Sequence, residues 1–132
     1  MNRVMLDANM VSHLVKEHDE VRKHFRAARM SACISVVAEA QLRYGLAKHP
    51  HSKKLNILVP ELLLRLDILP WTSDTAQRYG VLRAELERLG KTLAALDLMI
   101  AAHALEAEAV LATSDRAFAG VPGLRIVDWS VS

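Results

Sequence analysis

The sequence predicts an α/β fold built around a parallel sheet. Short apolar segments of strand length alternate with longer segments in which apolar residues recur at helical spacing. Neither an internal repeat nor a Gly/Ser linker interrupts the 132 residues, a length that suits one hydrophobic core. We therefore predict one domain over residues 1–132, with four to five strands joined by helical crossovers.

The composition is that of a globular protein, with 52% apolar and 24% charged residues. Cys33 is the only cysteine, which excludes a disulfide or a thiolate zinc site within the chain and suits a reducing compartment. No secretory signal or membrane-spanning stretch is visible, so we expect a cytoplasmic protein that does not enter a membrane. A net charge of +2 provides no strong global field, so binding to nucleic acid would need local basic patches.

Strands are predicted where short apolar runs end in polar or turn-forming residues. They are RVMLD (3–7), SACIS (31–35), LDILPW (66–71), AVLAT (109–113) and, at the edge of the sheet, LRIVDW (124–129).

Helices are predicted between the strands from apolar spacing and capping residues. Ser35 and Ser52 are placed to cap two of them, and Gly90 is placed to end another. Pro60 lies inside a leucine-rich helical pattern, where it predicts a kink or a break. The predicted helices cover residues 10–18, 20–30, 36–48, 53–66, 72 or 73 to 90, and 97–108.

Three aspartates are predicted to meet at the carboxyl edge of the sheet. Asp7 ends the first strand, Asp97 opens a helix, and Asp115 stands just past the fourth strand. Loops and helix N-termini converge at this edge, where parallel sheets bind their ligands. Carboxylates this close require raised pKa values or a bound cation, and oxygen ligands favour Mg²⁺ or Mn²⁺.

Each aspartate alone has a simpler structural interpretation. Asp7 could form a turn or cap the following helix, Asp97 could be an ordinary acidic residue of a first helical turn, and Asp115 could belong to a turn. Asp67 and Asp128 also border apolar runs, and we assign them structural roles. The metal-site hypothesis therefore rests on the joint placement of three acids.

Several segments together resemble the PIN-domain ribonucleases of the VapC type, which are toxins of bacterial toxin-antitoxin modules. The segments are MLDAN, ISVVAEAQLRYG, LDLMIAAHA, LATSDRAF and PGLRIVDW, in the family's order over nearly the whole chain. The resemblance implies a three-layer α/β/α sandwich and a Mg²⁺- or Mn²⁺-dependent endoribonuclease that cleaves structured RNA, often a tRNA. It also implies inhibition by a VapB-type antitoxin, pairing into homodimers, and contact with operator DNA only through the antitoxin.

The resemblance places the family's four acidic positions at Asp7, Gln41, Asp97 and Asp115, which are the candidate catalytic residues. We expect Asp7 and Asp97 to be the main metal ligands, and Asp115 to bind a second ion or a metal-bound water. The second position departs from the family, because Gln41 replaces the usual glutamate. Milder departures are Ala8, Ser114 and Ala117, where the family usually has Thr, Asn and an acid.

The expected chemistry explains the need for carboxylates. One Mg²⁺ ion, or two about 4 Å apart, can generate a hydroxide and stabilise both the negative charge that develops on the phosphate and the leaving oxygen. Products should carry a 5′-phosphate and a 3′-hydroxyl, because water rather than the ribose 2′-hydroxyl is the expected nucleophile. Thr113 and Ser114 are expected to orient the acids by hydrogen bonds.

Gln41 keeps the length and one oxygen of glutamate but lacks its charge, so we expect weak metal binding and slow or absent cleavage. Glu39 cannot replace it, since it lies about 160° away around the helix. We expect Glu39 to form an exposed ion pair with Arg43 instead.

Other polar and apolar groups leave alternatives open. The six histidines form no zinc-type pair, so surface or packing roles are expected for them. The run Arg22, Lys23, Arg26 and Arg29 is either a solvated face or a guide for RNA phosphates.

The antitoxin implied by the resemblance would need a binding surface. Leu42 and Leu46, together with the leucine-rich helix from Leu55 to Leu66, predict a groove that accepts an antitoxin helix or strand.

Two rival functions share these residues. A phosphoacceptor fold of the haloacid-dehalogenase type needs a second Asp where this chain has Asn9, and a receiver domain needs an early acidic pair that is missing. The stronger rival is a non-catalytic PIN domain that binds antitoxin or RNA, which the departures at positions 8, 41, 114 and 117 motivate. Metal-dependent RNA cleavage by the purified chain separates the two.

Overall fold

The central sheet has five parallel strands, with the first strand in the middle. The computed structural model describes residues 3–131, in which the strand order is β3-β2-β1-β4-β5 and every pair is parallel. The predicted parallel sheet is therefore confirmed. The strands are β1 (Arg3–Leu6), β2 (Ala32–Ser35), β3 (Asp67–Leu69), β4 (Ala109–Ala112) and β5 (Ile126–Val127).

Helices fill the connections between the first four strands. The chain moves outward from β1 to β3 and then returns to β4 on the other side of β1. Right-handed crossovers in these two directions place helices on opposite faces of the sheet, which gives the expected α/β/α layers. Within residues 3–131 the α-helices are α1 (Ala8–Val15), α2 (Asp19–Ala28), α3 (Val36–Lys48), α4 (Lys53–Arg65), α5 (Ser73–Arg88) and α6 (Ala95–Glu106).

Side-chain caps fix the starts of several helices. Ser35 Oγ accepts a hydrogen bond from the Val37 amide at 3.0 Å, and Ser52 Oγ accepts one from the Leu55 amide at 3.3 Å, as predicted. The final helix, α6, begins at Ala95 without a side-chain cap, two residues earlier than predicted. This shift places Asp97 inside the first turn of α6.

Of the predicted kink or break at Pro60, the break is wrong, because α4 is helical from Lys53 to Arg65. Pro60 lacks the amide proton that would bond to the Asn56 carbonyl, a loss that costs about 3 kcal/mol in a helix. Burial of Val59 and Leu63 on the inner face of α4 offsets that cost.

The core lies on both faces of the two innermost strands. Met5, Leu6 and Leu111 are fully buried, and the central part of α6 packs over them through Ile100 and small alanines. The buried alanines of α6 belong to this core, which packs the helix that carries Asp97 against β2 and β4. None of the helices in residues 3–131 is both apolar and long enough to cross a bilayer.

Candidate active site

Asp7 lies directly after β1, between the ends of β2 and β4. Its amide continues the strand pairing by donating to the Ala112 carbonyl at 3.2 Å. Its Oδ1 atom accepts a hydrogen bond from the Met10 amide at 2.8 Å and caps α1. The helix-cap interpretation is thus correct, and it leaves the carboxylate with further acceptor capacity.

The Asp7 carboxylate is buried, with 6% of the residue exposed. Burial raises its pKa above the ordinary value, and the negative charge of Asp115 raises it further. Interactions with the Thr113 hydroxyl, the Met10 amide and His13 act in the opposite direction but do not cancel the effect of burial. Asp7 therefore carries a charge that the fold alone does not compensate.

Asp97 contributes a second carboxylate from the first turn of α6. Its pKa is raised by burial first, and then by the negative charges of Asp115 and Asp7. Three acids that are far apart in sequence thus act on one another electrostatically. This effect is the one expected for carboxylates that gather at one edge of the sheet.

Asp115 follows β4 and starts a short 3-10 helix, Arg116–Gly120. Its Oδ1 atom accepts a hydrogen bond from the Ala117 amide at 2.9 Å, so the turn interpretation is also correct. Its own amide donates to Thr113 Oγ1 at 3.0 Å. The Thr113 hydroxyl interacts with both Asp7 and Asp115, as predicted, whereas Ser114 is exposed.

Gln41 lies on α3, the helix that starts at the carboxyl end of β2. Among residues 3–131, Gln41 Oε1 is the only buried side-chain nitrogen or oxygen without a hydrogen-bond partner. Such an atom costs about 1–3 kcal/mol, because burial removes the water that it would otherwise bind. A hydrogen-bond donor or a cation placed at this atom would remove that cost.

Glu39 is committed elsewhere, as the helical spacing predicted. Its Oε2 atom accepts a hydrogen bond from Arg43 Nε at 2.9 Å on the outer side of α3. Asp67 and Asp128 also have the predicted structural roles. Asp67 pairs with Arg3 at 3.8 Å, and Asp128 Oδ1 accepts from the Ser130 amide at 2.8 Å.

The donor set fits an oxygen-preferring cation, because Asp7, Gln41, Asp97 and Asp115 offer only oxygen as ligands. Within residues 3–131, no group of three or more His, Cys, Asp or Glu side chains has the spacing of a finished metal site. Sharing of an ion by the three aspartates therefore stays a prediction. Their mutual effect on pKa supports it.

An apolar groove with a basic rim, here called the arginine groove, lies between α1, α2 and α4. Its volume is about 410 Å³. Lys23 belongs to the predicted basic run but does not line this groove. Its Nζ atom instead pairs with Glu20 Oε1 at 3.5 Å. The apolar lining is Leu14, Val15, Phe25, Leu58 and Leu62, and the charged lining is Arg22, Arg26, Arg29, Arg65, Glu17 and Glu61.

The prediction of a leucine groove is correct for α4 and wrong for α3. Leu42 is only 8% exposed and belongs to the core, and Leu46 is half-buried against it. The reason is that α3 packs against α1, α4 and α6, so the face carrying these leucines points inward. Tyr44, on the outer face of α3, is 66% exposed.

A buried polar link that sequence reasoning missed connects α6 to β2. His103 Nδ1 lies 2.7 Å from Ser35 Oγ, and both residues are buried. Its sequence signal is a lone histidine in the apolar stretch MIAAHAL, which must find a partner if it is buried.

Sequence and structure comparisons identify the family of the chain. The PIN-domain family matches residues 4–124. The chain is 33% identical to the tRNA(fMet)-specific endonuclease VapC of Shigella flexneri over 98% of this chain and 100% of the relative. It is 31% identical to ribonuclease VapC2 of Haemophilus influenzae over 98% of this chain and 99% of the relative.

Solved structures extend the similarity to the fold. The chain matches DNA-bound VapBC from Salmonella typhimurium with a TM-score of 0.92 and 33% identity, over 98% of this chain and 99% of that one. It matches promoter-bound VapBC2 from Rickettsia felis with a TM-score of 0.88 and 29% identity, over 96% and 98% of the two chains. These matches, to a chain with a parallel sheet and aspartates after its strands, show that the chain belongs to the PIN-domain family and to its VapC-type ribonucleases.

Proposed function

We propose that this chain is a Mg²⁺-dependent endoribonuclease, with Mn²⁺ able to substitute, that acts as the toxin of a type II toxin-antitoxin module. The observation that carries the proposal is the group of three aspartates, in which the pKa values of Asp7 and Asp97 are raised by burial first and then by the negative charge of Asp115. Such a group opposes folding, and a cation relieves the repulsion. The names of the relatives from S. flexneri and H. influenzae support RNA as the substrate class.

Asp7, Asp97 and Asp115 would hold the cation, which supplies an activated water and neutralises charge on the phosphate when bound. The chain's own residues prepare this site. The Met10 amide and the Thr113 hydroxyl hold Asp7 in place, and Thr113 also fixes the loop that carries Asp115. Attack by water rather than by the ribose 2′-hydroxyl yields products with a 5′-phosphate and a 3′-hydroxyl.

Gln41 reduces the activity of the chain in this proposal. At an effective dielectric of about 20, one unit of charge at about 4 Å is worth roughly 4 kcal/mol per unit of ion charge. Solvation offsets part of this energy. A net loss of about 3 kcal/mol weakens binding or catalysis by roughly two orders of magnitude. Gln41 Oε1 is buried without a hydrogen-bond partner, which supports the proposal that a ligand binds at this atom.

The test compares wild type, Gln41→Glu and Glu39→Gln in cleavage of a tRNA pool across a Mn²⁺ titration, with Mn²⁺ binding measured by calorimetry. Gln41→Glu should raise both affinity and cleavage by roughly two orders of magnitude. Glu39→Gln is the matched control, since it changes the charge of the same helix on its outer side. Equal Mn²⁺ affinity in wild type and Gln41→Glu would show that position 41 lies outside the metal site.

A structured RNA, and specifically a tRNA, is the proposed substrate. The S. flexneri relative is named for a tRNA, and it covers this chain nearly end to end. An equimolar mixture of tRNAs and unstructured RNA of the same length tests the choice. Preferential loss of one or a few tRNAs is expected, and equal degradation of all strands would contradict it.

The proposed partner is a VapB-type antitoxin that occupies the arginine groove, in a complex that contains the toxin as a homodimer and reaches operator DNA through the antitoxin. Matching structures hold VapB and VapC chains with DNA. A segment with apolar side chains and flanking carboxylates suits the leucine lining and arginine rim of the groove. We place this complex in the cytoplasm, where toxin, antitoxin and tRNA meet.

Two lysine substitutions on α4 test the groove. Leu62→Lys puts a charge into its lining, whereas Leu64→Lys is the control because Leu64 is 88% exposed. After coexpression with the neighbouring antitoxin gene, only Leu62→Lys should lose the complex. Equal complex formation by both variants would contradict this docking surface.

The competing proposal is a non-catalytic PIN domain that binds antitoxin or RNA. Gln41 favours this alternative, because it is buried at the position of the family's glutamate but does not carry the negative charge of that residue. A Gln41→Glu protein that binds antitoxin but neither binds Mn²⁺ nor cleaves any RNA would support this alternative over the nuclease.

A further inference from the structure

The link between His103 and Ser35 joins two elements that carry candidate site residues. His103 lies on α6, six residues after Asp97, and Ser35 is the residue before α3, which carries Gln41. Their side chains meet at 2.7 Å across 68 residues of sequence, with 1% and 0% of the two residues exposed. The contact therefore ties α6 directly to the start of α3.

Several groups hold the His103 ring in place. Nδ1 and Ser35 Oγ share one proton, which either atom can donate, and the Pro70 backbone also interacts with the ring and acts to raise its pKa. Ser35 Oγ at the same time accepts from the Val37 amide at 3.0 Å, so one hydroxyl both binds His103 and caps α3.

The histidine is held neutral and fixed in orientation. Burial lowers its pKa, although the Glu106 charge acts in the opposite direction. Trp71 packs edge-on against the ring, with centroids 5.5 Å apart. A buried neutral ring held by these contacts is a rigid connector rather than an acid or base.

We propose that Ser35 and His103 are positioning residues, which hold the start of α3 against α6 so that Gln41 and Asp97 keep the spacing that a shared cation requires. This inference rests on the proposed metal-dependent function. Neither residue is assigned a contact with metal or RNA. Their effect is exerted through the placement of two helices, as supporting hydrogen bonds do for metal ligands.

The test uses His103→Leu, which removes the link, and His103→Asn, whose side-chain oxygen can take the place of Nδ1. Thr75→Val is the matched control. Thr75 Oγ1 donates to Glu106 Oε1 at 2.6 Å, a second link to α6 that does not touch α3. Thermal unfolding and Mn²⁺ affinity by calorimetry are measured for each variant in the full chain.

His103→Leu should lower Mn²⁺ affinity by about tenfold, and His103→Asn should restore most of it. Thr75→Val should lower the unfolding temperature but leave Mn²⁺ affinity unchanged. Ser35→Ala should reproduce His103→Leu, and the Asn variant keeps the test valid if either of these fails to fold.

Two failures are distinguishable. If wild type or Gln41→Glu binds Mn²⁺ and adding His103→Leu to that protein leaves the affinity unchanged, the positioning role is wrong and the proposed nuclease stands. If neither wild type nor Gln41→Glu binds Mn²⁺, the metal-dependent function is wrong and the positioning role falls with it.

Discussion

The two ends of α6 lie in opposite electrostatic environments. At the N-terminal end, Asp97 is half-buried, faces the charges of Asp7 and Asp115, and lies in the first turn of a helix that has no side-chain cap. At the C-terminal end, His103 binds Ser35, and Glu106 accepts a hydrogen bond from Thr75. One helix thus joins an uncompensated group of acids to a satisfied polar network.

This difference separates residues that stabilise the fold from residues that would act on a ligand. Polar groups at the C-terminal end have partners inside the protein, so their removal should cost stability. Asp97 at the N-terminal end faces two other acids, so its removal should cost activity and not stability, whereas Asp7 and Asp115 also cap helices and their removal should cost both. A substitution that lowers activity but not stability identifies a ligand site, whereas one that lowers stability alone identifies a packed surface.

The largest effect is expected at the acidic end. In the Gln41→Glu protein, where cleavage is expected to be measurable, Asp97→Asn should lower Mn²⁺-dependent cleavage by about two orders of magnitude or more, because one negative ligand is lost. The unfolding temperature without metal should stay equal or rise, because repulsion from Asp7 and Asp115 is removed. A clear fall in the unfolding temperature would show that Asp97 is a structural residue.

Glu106→Ala should have the opposite signature at the other end of the helix. Loss of the hydrogen bond with Thr75 should lower the free energy of unfolding by about 1–2 kcal/mol. Mn²⁺ affinity should not change. Urea denaturation and calorimetry measure the two quantities, and a fall in Mn²⁺ affinity would mean that Glu106, like His103, helps to position Asp97.

The pH dependence of stability should reveal the neutral histidine. The pKa of His103 is lower in the folded protein than the unfolded value of 6.5, because burial disfavours the charged ring. The unfolded chain therefore binds more protons, and stability falls as pH drops below the unfolded pKa towards the folded one. The charge of Glu106 acts on the ring in the opposite direction and reduces the shift.

Between about pH 7.5 and 5.5, wild type should lose more free energy of unfolding than His103→Asn. The difference between the two proteins removes the contribution of the other histidines. Parallel stability curves would contradict a buried neutral ring at this position.

The smallest effect is expected at the surface pair of α3. Glu39→Gln should lower the free energy of unfolding by about 0.3–0.5 kcal/mol, since the ion pair with Arg43 is solvent-exposed. The loss should shrink at high salt. A much larger cost would mean that Glu39 belongs to the candidate site after all.

Local signals made much of the fold predictable. Ser35, Ser52 and Thr72 each carry a capping side chain next to a periodic apolar segment, and each starts a helix. Gly90 adopts a positive φ of 68° just after α5, the backbone conformation that its C-terminal position predicted. The order of strands and helices then places Asp7 and Asp115 at the same edge without further information.

Long-range contacts were not predictable in the same way. The hydrogen bond between His103 and Ser35 spans 68 residues, and no local pattern encodes it. Leu42 was misassigned because α3 is covered on several sides, so helical periodicity does not show which face is exposed. The prediction of a break at Pro60 was wrong because it rested on the low helix propensity of proline. It did not include the burial of one face of α4 against the core.

The central position of β1 also has a consequence for synthesis of the chain. β1 is synthesised before its two neighbours in the sheet, β2 and β4, which comprise Ala32–Ser35 and Ala109–Ala112. Until β4 has left the ribosome, β1 is unpaired on one side. Asp7 and Asp115 can therefore come together only after more than a hundred further residues have been added to the chain, which makes their assembly a late event in synthesis.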